Sequence, residues 1–543
     1  MLIALVFYAC LFSHLGVLGL VGPDEPRYAA VAREMAERGD WVTPRLYSQP
    51  WFEKPILYYW AAATAFRAFG VSEFAARLPS AISAALAAIA LAWAGRRFCG
   101  PATGWAALLI VPTSIGVFGF ARAATPDMLF SAALAGAMVA ASYLIWGAAS
   151  RVPGDSAAQA ALGACLGVAA LAKGPAAIVL AAGSSGLWAL ATGRWRDAFR
   201  LMSPVAMVVF SVVALPWYVL CATRNREFVH TFLFTHNLER YLTPVFQHEQ
   251  PFWFFGPVIL IGLLPWTALL AGVTWNRARI RQLRDGGNRP GVFFACWAIC
   301  PILFFSFSRA KLPGYALPAV LAFDLLLARV AGLLLEERNG FGRWMLATIG
   351  ATFPALAASA NHLLKRLPPE ASLGQAQRLS GWILMAAAGG ILLASLGLLG
   401  RRWPALLAAA VLTAGMVEAV NRQALPQLDT YLSARTAAQA AQALPGPTDN
   451  VFVYNVRRAW RNGLNFYFHQ ELPDWTPQIG RPARVFTDAT GVAELERQGY
   501  VVRFLERGSP QALLVEVEGH EAGTAAGPSG ASRPKAVGSG GRN

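Results

Sequence analysis

The stretch Gly22-Pro23-Asp24-Glu25-Pro26-Arg27-Tyr28 follows directly on an apolar run, Leu2 to Val21. Because such a run is long enough to cross a bilayer, the two carboxylates and the arginine are expected just outside a membrane. Acidic residues are also common at helix starts, where they complement the helix dipole. A second cluster of charged and aromatic residues, Tyr47 to Tyr59, favours a binding pocket, because charges beside a membrane often mark functional sites.

The composition predicts a polytopic α-helical membrane protein. Of the 543 residues, 56% are hydrophobic and only 14% are charged, and apolar runs of spanning length recur along most of the chain. We predict about thirteen transmembrane helices within residues 1–420. Two of these predicted helices lie within 158–192, and they are separate only if the chain breaks at Lys173-Gly174-Pro175. Without that break, the number of spans would change by one, and the region after the last span would lie on the other side of the membrane.

The distribution of basic residues predicts the orientation. With a cytoplasmic N-terminus, the predicted inner loops carry 15 arginines in loops that are mostly short, which agrees with the positive-inside rule. Two large loops, about 21–78 and 223–253, then face the periplasm. The run 2–21 is predicted to be a retained span, because it has no basic n-region and no obvious cleavage site.

Charge and cysteine content exclude some classes of function. The formal net charge is +16, and the basic inner loops facing anionic lipid account for much of it, so no nucleic-acid partner is predicted. All six cysteines lie in or beside predicted spans, so no disulfide framework is implied. The chain has no phosphate-binding loop for a soluble nucleotide.

The composition changes near residue 421. Short apolar runs such as Val451 to Tyr454, Leu464 to Phe468 and Leu513 to Val517 predict strands, with helical patterns between them. We therefore predict a small soluble α/β domain in the periplasm, 421–521. Residues 522–543 are rich in glycine, serine, alanine and proline, and are predicted to be disordered.

Other outer loops carry further candidate residues. Asp127 begins the fourth predicted span, where a helix cap is the simplest interpretation, and Lys173 is readily explained as a snorkelling lysine. The loop 224–253 contains histidines and glutamates, which raises a weak metal-site hypothesis because their spacing fits no single helix face. Lys311 and Tyr315 flank a proline and a glycine, a combination able to bind a phosphate or to anchor the chain at the interface.

Taken together, the motifs of these loops resemble those of a known family. The matching pieces are Pro23 to Ala29, Arg33-Glu34-Met35, Gly39-Asp40-Trp41, Phe52-Glu53-Lys54-Pro55, Lys173-Gly174, His236 to Arg240, Gln247-His248, Pro251-Phe252-Trp253, Leu264-Pro265-Trp266 and Lys311 to Tyr315. In this order they are similar to the bacterial lipid A aminoarabinose transferases, within the wider class of polyprenyl-phosphate-dependent membrane glycosyltransferases that share the GT-C fold. The segment around Asp127 matches more loosely.

This resemblance implies an inverting sugar transfer at the outer face of the bacterial inner membrane. The implied donor is a sugar on undecaprenyl phosphate, most specifically aminoarabinose, and the implied acceptor is lipid A or another membrane acceptor. Cations must hold the departing phosphate, and a carboxylate can act on the acceptor or on the charge of the sugar ring. The implied catalytic residues are Asp24 and Asp127, and the implied phosphate-binding residues are Arg27, Lys54, Arg240, Lys311 and Tyr315. Arg27 has an alternative role as the partner of Asp127.

No cofactor is implied to be essential. Glu53 and a histidine such as His236 are candidate ligands for a divalent ion such as zinc. Two other functions stay open on the sequence alone. One is transfer of a different lipid-linked pentose or hexose to another lipid, glycan or protein. The other is transport of a lipid-linked sugar. A transporter is expected to carry ionisable residues within its spans and often contains inverted repeats. This function is less favoured because acids inside the predicted spans are rare, Asp324 being one, and no internal repeat is visible.

Overall fold

The computed structural model describes residues 1–146, 156–242, 249–271, 290–336, 341–364, 369–445, 450–479, 482–509 and 511–518. The segment predicted to be a disordered tail, 522–543, lies outside these ranges, as does the side chain of Arg240.

In the described residues up to 432, the regular secondary structure is helical apart from one short hairpin. The α-helices are α1 Leu2–Phe7, α2 Asp24–Arg38, α3 Leu57–Phe69, α4 Glu73–Cys99, α5 Pro101–Thr113, α6 Ile115–Ala121, α7 Asp127–Trp146, α8 Ser156–Lys173, α9 Ala176–Thr192, α10 Trp195–Arg200, α11 Pro204–Arg224, α12 Arg240–Leu242, α13 Phe255–Gly262, α14 Gly291–Ser306, α15 Leu317–Glu336, α16 Phe341–Leu364, α17 Pro369–Leu398, α18 Arg402–Ala419 and α19 Leu425–Leu432. The π-helical segments are Tyr8–Phe12, His230–Glu239 and Val420–Ala424, and the 3₁₀-helical segments are Trp266–Leu269 and Pro313–Ala316. The hairpin pairs β1 Arg45–Leu46 with β2 Gln49–Pro50.

Several helices have the length and apolarity of membrane spans. Within the described ranges there are six such helices, or seven if α5 and α6, which meet at a bend of 58°, form one broken span. Four further apolar helices are shorter, at Leu2–Phe12, Ala176–Thr192, Gly291–Ser306 and Ile383–Leu398. The prediction of about thirteen spans is therefore not tested by these helices alone and stays a prediction.

The apolar tract at 158–192 is broken into two helices, as expected from Lys173-Gly174-Pro175. Helix α8 ends at Lys173, and Gly174 has a φ of +83°, a value that glycine adopts without steric cost. Pro175 is the N-cap residue of α9 and lacks the amide hydrogen that a continuous helix would need. The ammonium group of Lys173 is thereby held at the turn between the two helices.

The mixed apolar and polar residues from Arg27 to Arg38 predict a short amphipathic helix on the membrane surface. The helix that forms there, α2, is longer. It begins at Asp24 and ends at Gly39, which adopts the left-handed conformation with φ +69°. Its polar face is also less exposed than the pattern suggests, because Arg33 is buried against the C-terminal domain. The sequence also predicts a second surface helix over Phe66 to Leu78, and this prediction is wrong, because these residues form the end of α3 and the start of α4.

The C-terminal domain contains a four-stranded sheet flanked by helices. Its elements are α20 Arg435–Ala443, β3 Val451–Val453, α21 Arg458–Tyr467, β4 Ala483–Thr487, α22 Ala489–Arg497, β5 Val501–Ser509 and β6 Ala512–Glu518. The strand order is β3-β4-β6-β5, with β3 and β4 parallel and the other neighbours antiparallel.

One strand prediction in this domain is wrong. The run Leu464 to Phe468 lies in and just after α21 instead of in a strand. Trp460 and Leu464, four residues apart, are both buried in one core cluster, and this spacing places them on the same side of a helix. The four-residue spacing of buried residues therefore indicates the structure correctly, whereas the short apolar run does not.

Candidate active site

A buried ion pair anchors the loop that carries Asp24. Arg77 on α4 lies 2.7 Å from Glu25 on α2, and both side chains are buried. The other oxygen of Glu25 accepts a hydrogen bond from the Ala124 amide at 2.8 Å, in the loop before α7. The same guanidinium donates to the carbonyl oxygens of Leu15, Leu18 and Gly19 at the end of the first apolar segment. One pair thus joins the chain on both sides of Asp24 to the loop that precedes Asp127.

Asp24 belongs to a second charged cluster. Arg27 lies 2.6 Å from Asp24 and 2.9 Å from Glu53, and the Lys54 ammonium lies 3.4 Å from Glu53. Asp24 is the open member, since 44% of its side chain is exposed compared with 6% for Arg27. Asp24 can therefore be reached by a second molecule, whereas Arg27 is enclosed by protein.

The environment of Arg27 keeps it charged and encloses it. Burial alone lowers the pKa of its guanidinium, but Glu53, Tyr28 and Asp24 raise it above the ordinary arginine value. The guanidinium also lies 5.3 Å from the ring centre of Trp51, a cation–π distance. The alternative pairing with Asp127 is wrong, because Arg27 pairs with Asp24 and Glu53.

Asp127 forms its ion pair with Lys173 instead. Asp127 is the first residue of α7, and its carboxylate accepts a hydrogen bond from the Lys173 ammonium at the α8–α9 turn. That ammonium also lies 4.8 Å from the centre of the Tyr315 ring. Lys173 is absent from the site predicted from sequence. The motif Lys173-Gly174, which matches the family, could have identified Lys173 as a site residue. Its pairing with Asp127, 46 residues away in sequence, could not be found in this way.

Some members of these two charged clusters border a cavity of about 370 Å³. Its polar lining includes Glu53, Lys54, Lys173, His236 and Tyr315. The rest of its wall is largely aromatic and aliphatic: Pro175, Ala176, Val179, Phe232, Leu233, Leu238, Phe304 and Phe305. Two ammonium groups next to an apolar wall match a ligand that carries an anionic group on a hydrocarbon chain.

The remaining predicted phosphate ligands are placed differently. Lys311 is buried and donates to the Ser308 carbonyl oxygen at 2.7 Å, and it is not among the residues that line the cavity. Arg240 begins α12, but its side chain lies outside the described residues. Of the predicted phosphate-binding residues with described side chains, Lys54 and Tyr315 line the cavity.

The candidate metal ligands share this cavity but lack a full ligand set. Glu53 and His236 both line it, and the Glu53 carboxylate already lies beside the cations of Arg27 and Lys54. In the part of the chain that the structure describes, no group of three or more histidine, cysteine, aspartate or glutamate side chains is arranged to hold a metal. A bound metal therefore stays a prediction.

The C-terminal domain docks directly on the Asp24 loop through α21. Asn462 donates to the Pro23 carbonyl oxygen at 2.9 Å. The Tyr467 hydroxyl accepts from the Leu20 amide and donates to Glu73, both at 2.9 Å. Gly19 leaves space for this contact, because a Cβ there would lie 2.8 Å from the Tyr467 oxygen. The domain thus holds the main chain that leads into Asp24.

Comparison with known proteins shows which proteins this chain resembles. Residues 1–232 match the family model of the dolichyl-phosphate-mannose-protein mannosyltransferases. The chain also shares the helical GT-C fold of the crystal structure of ArnT from Cupriavidus metallidurans bound to undecaprenyl phosphate. That match has a TM-score of 0.75 and 25% identity, and it covers 97% of this chain and 99% of the other.

Particular relatives point the same way. The chain is 33% identical over 322 residues to the undecaprenyl phosphate-alpha-4-amino-4-deoxy-L-arabinose arabinosyl transferase of Edwardsiella ictaluri, covering 59% of this chain and 56% of that protein. It is 34% identical over 311 residues to the protein of that name from Yersinia pestis, covering 57% and 55%. The matched part thus spans a little over half the length of these curated relatives. The resemblance inferred from the loop motifs is confirmed.

We predict that Tyr467→Phe loosens the main chain before Asp24. The substitution leaves the buried Leu20 amide without its acceptor, which costs roughly 1–3 kcal/mol. Hydrogen exchange of the peptide that contains Leu20 should then accelerate by about five- to a hundredfold. Tyr454→Phe, in the same domain, is the matched control and should leave this peptide unchanged. Equal protection of Leu20 in both variants would show that the Tyr467 hydroxyl does not restrain the loop.

Proposed function

We propose that the protein is an inverting glycosyltransferase that moves a sugar from a polyprenyl-phosphate carrier to a membrane acceptor. The proposed donor is aminoarabinose on undecaprenyl phosphate, and the proposed acceptor is a phosphate of lipid A. The observation that carries this proposal is the cavity in which Lys54 and Lys173 lie beside apolar walls. The exposed carboxylate of Asp24 is connected through Arg27 to Glu53, which belongs to the lining. A phosphate attached to a long hydrocarbon satisfies both parts of that lining.

The names of the relatives support the same donor chemistry. The curated relatives are named for aminoarabinose transfer from undecaprenyl phosphate, and the ArnT structure contains undecaprenyl phosphate. The family model at the N-terminal part of the chain describes a transferase that uses another polyprenyl-phosphate sugar. The common element is a lipid phosphate as leaving group, and this is what the cavity would bind.

The proposed reaction is a single displacement at the anomeric carbon. An oxygen of the acceptor phosphate forms a bond to that carbon while the bond to the carrier phosphate breaks, and the electron pair of the broken bond stays on the carrier phosphate. The acceptor phosphate becomes a diester and the carrier phosphate a monoester, so total charge is conserved. Because the attacking oxygen is already anionic at neutral pH, no strong general base is required.

The proposed roles of the site residues follow from their charges. Lys54 and Lys173 would offset the charge that develops on the carrier phosphate, with Tyr315 beside them. Arg240 and Lys311 stay predicted phosphate ligands. Asp24 would orient the acceptor and stabilise positive charge on the sugar ring.

Asp127 and Arg27 act through other residues in this proposal. Asp127 would position the Lys173 ammonium at the cavity, since the two side chains form an ion pair. Arg27 would fix Asp24 and Glu53 rather than contact the donor, since it is enclosed between them. Lys54, which lies beside Glu53 and lines the cavity, would then be the cation of this cluster closest to the donor.

The transporter alternative gains no support from Asp324. Its carboxylate is buried at the bend between α5 and α6, where the Ser114 hydroxyl donates to it at 2.7 Å. This contact joins α15 to a helix break, which is a structural task. The charged side chains of the candidate site lie at helix ends and in loops rather than along a path through the helices.

The proposed function goes with a proposed layout of the chain in the membrane. The membrane glycosyltransferase domain would comprise residues 1–420, with loops 21–78 and 223–253 in the periplasm, followed by a periplasmic domain, 421–521, and a tail, 522–543. The contacts of Asn462 and Tyr467 with the first loop support a common side for that loop and the C-terminal domain. The proposed location is the bacterial inner membrane, with the active site facing outward.

The function is tested with purified protein, lipid A and the aminoarabinose donor, with mass spectrometry of the lipid A product. Wild-type protein should add one aminoarabinose per modified phosphate. Asp24→Asn should lower turnover about a hundredfold, a loss expected when a charge acting on the transition state is removed, while donor binding changes little. The matched control is Asp474→Asn, whose carboxylate is 66% exposed in the C-terminal domain.

Full turnover by Asp24→Asn would remove this residue from the chemistry, because asparagine and aspartate serve similarly at a helix start. Absence of transfer by wild-type protein from this donor, together with transfer from another polyprenyl-phosphate sugar, would reassign the donor. Absence of transfer from every such donor would reject the glycosyltransferase proposal.

The orientation is tested by labelling single cysteines with a membrane-impermeant thiol reagent in intact spheroplasts. Asp474→Cys should react from outside, whereas Arg200→Cys, on the proposed cytoplasmic helix α10, should react only after permeabilisation. Both positions are well exposed, at 66% and 80% of the side chain. The protein with its native cysteines alone gives the background. Labelling of Arg200→Cys from outside would reverse the proposed orientation.

A further inference from the structure

A strained two-residue turn lies in the loop between α2 and α3, shortly before the cavity residue Lys54. Strands β1 and β2 are connected by Tyr47 and Ser48 alone. The φ angles of these two residues are +51° and +70°, as tight hairpin turns of type I′ require. Asparagine and glycine are the usual residues at such positions, because most side chains clash with the backbone at positive φ. The turn is therefore costly for a tyrosine followed by a serine.

Glu34 on α2 makes the contact that holds this turn. The Ser48 amide donates to both carboxylate oxygens of Glu34, at 2.9 and 3.2 Å. The Arg38 guanidinium lies 2.8 Å from Glu34 and also donates to the Ser48 hydroxyl. The other turn residue, Tyr47, packs against the main hydrophobic core. Each strand of the hairpin has only two residues, so strand pairing alone would be marginal without these contacts.

The hairpin leads directly into the residues of the candidate site. The Trp51 amide donates to the Pro44 carbonyl oxygen at 2.8 Å and thereby closes the hairpin. The ring of Trp51 lies 5.3 Å from the Arg27 guanidinium, and the chain then continues to Glu53 and Lys54, which line the cavity. The backbone that carries these two side chains therefore starts from the strained turn.

We propose that Glu34 is a positioning residue, which holds the strained turn so that Lys54 faces the carrier phosphate. This inference rests on the proposed function, because Lys54 binds a carrier phosphate only in that reaction. Glu34 is not among the residues that line the cavity, so it acts through the hairpin. Helix α2 begins at Asp24, and Glu34 lies almost three turns further, about 15 Å along the axis. One helix thus positions Asp24 directly and Lys54 through the hairpin.

The test uses the full-length protein and two measurements that do not depend on turnover. Native mass spectrometry gives the binding of undecaprenyl phosphate, and hydrogen exchange of the peptide 44–52 gives the order of the hairpin. Glu34→Ala removes the acceptor of the Ser48 amide, so the cost of positive φ is no longer offset. Exchange in this peptide should accelerate by about five- to thirtyfold. Binding should weaken by up to the same factor, because only the ordered hairpin presents Lys54 to the phosphate.

A second substitution tests whether Glu34 acts through the turn. Glycine adopts positive φ without steric cost, so Ser48→Gly in the Glu34→Ala background should restore most of the protection and most of the binding. Gln49→Gly, at the next position in β2, should restore neither. The matched control for Glu34→Ala is Glu37→Ala on the same helix. The Glu37 side chain is 57% exposed, and its removal should leave both measurements at their wild-type values.

Wild-type binding and wild-type exchange in Glu34→Ala would overturn the proposal. A loss of binding that Ser48→Gly does not restore, or that Gln49→Gly restores equally well, would also overturn it, because the effect would not come from the turn. Absence of both undecaprenyl phosphate binding and sugar transfer in the wild-type protein would reject the proposed function instead. Hydrogen exchange of the peptide 44–52 would still show in that case whether Glu34 holds the turn.

Discussion

The geometry of the candidate site depends on the buried ion pair between Glu25 and Arg77. Its members come from α2 and α4, and its hydrogen bonds reach the end of the first apolar segment and the loop before α7. Removing either partner would leave an uncompensated charge in a buried position, which costs about 3–5 kcal/mol. Such a pair is a poor source of net stability but a strong constraint on position. It sets Asp24 and the loop leading to Asp127 relative to each other.

Beyond this anchor, three further ion pairs hold Glu53 and Lys173 in the cavity wall. Arg27 joins Asp24 to Glu53, and Lys173 joins α8 to Asp127. Each carboxylate near the site is thereby matched by a cation, but the ammonium groups of Lys54 and Lys173 also border the cavity. The C-terminal domain adds a restraint from outside through Tyr467. Rigid anchoring with accessible cations is the arrangement that electrostatic stabilisation of a departing phosphate needs.

Much of this site could be predicted from sequence because its residues lie in short charged motifs within apolar sequence. Asp24, Arg27, Glu53 and Lys54 are examples, and the structure brings all four together. The pairing of Lys173 with Asp127 could not be predicted in this way, because each residue alone fits a common role at a helix end. Such partners are set by the packing of helices distant in sequence.

The same limit applies to buried polar residues outside the motifs. Arg77 lies within a helix whose pattern resembles an ordinary span, and nothing local indicates that Glu25 is its partner. The run Leu464 to Phe468 predicts a strand incorrectly, because a short apolar run fits a strand and a buried helix segment equally well. The four-residue spacing between the buried residues Trp460 and Leu464 is what indicates a helix. Local sequence therefore indicates which residues are charged or apolar, and tertiary packing decides their partners.

A double-mutant cycle between Glu25→Gln and Arg77→Met tests most directly whether this ion pair fixes the geometry of the site. Thermal unfolding and the rate of sugar transfer are the two quantities measured. If the pair positions the site, each single variant should lose both stability and transfer. The double variant should be less impaired than the sum of the two losses, with a coupling of about 0.5–3 kcal/mol. Strictly additive losses, or transfer at the wild-type rate in either single variant, would contradict the claim that this ion pair fixes the catalytic geometry.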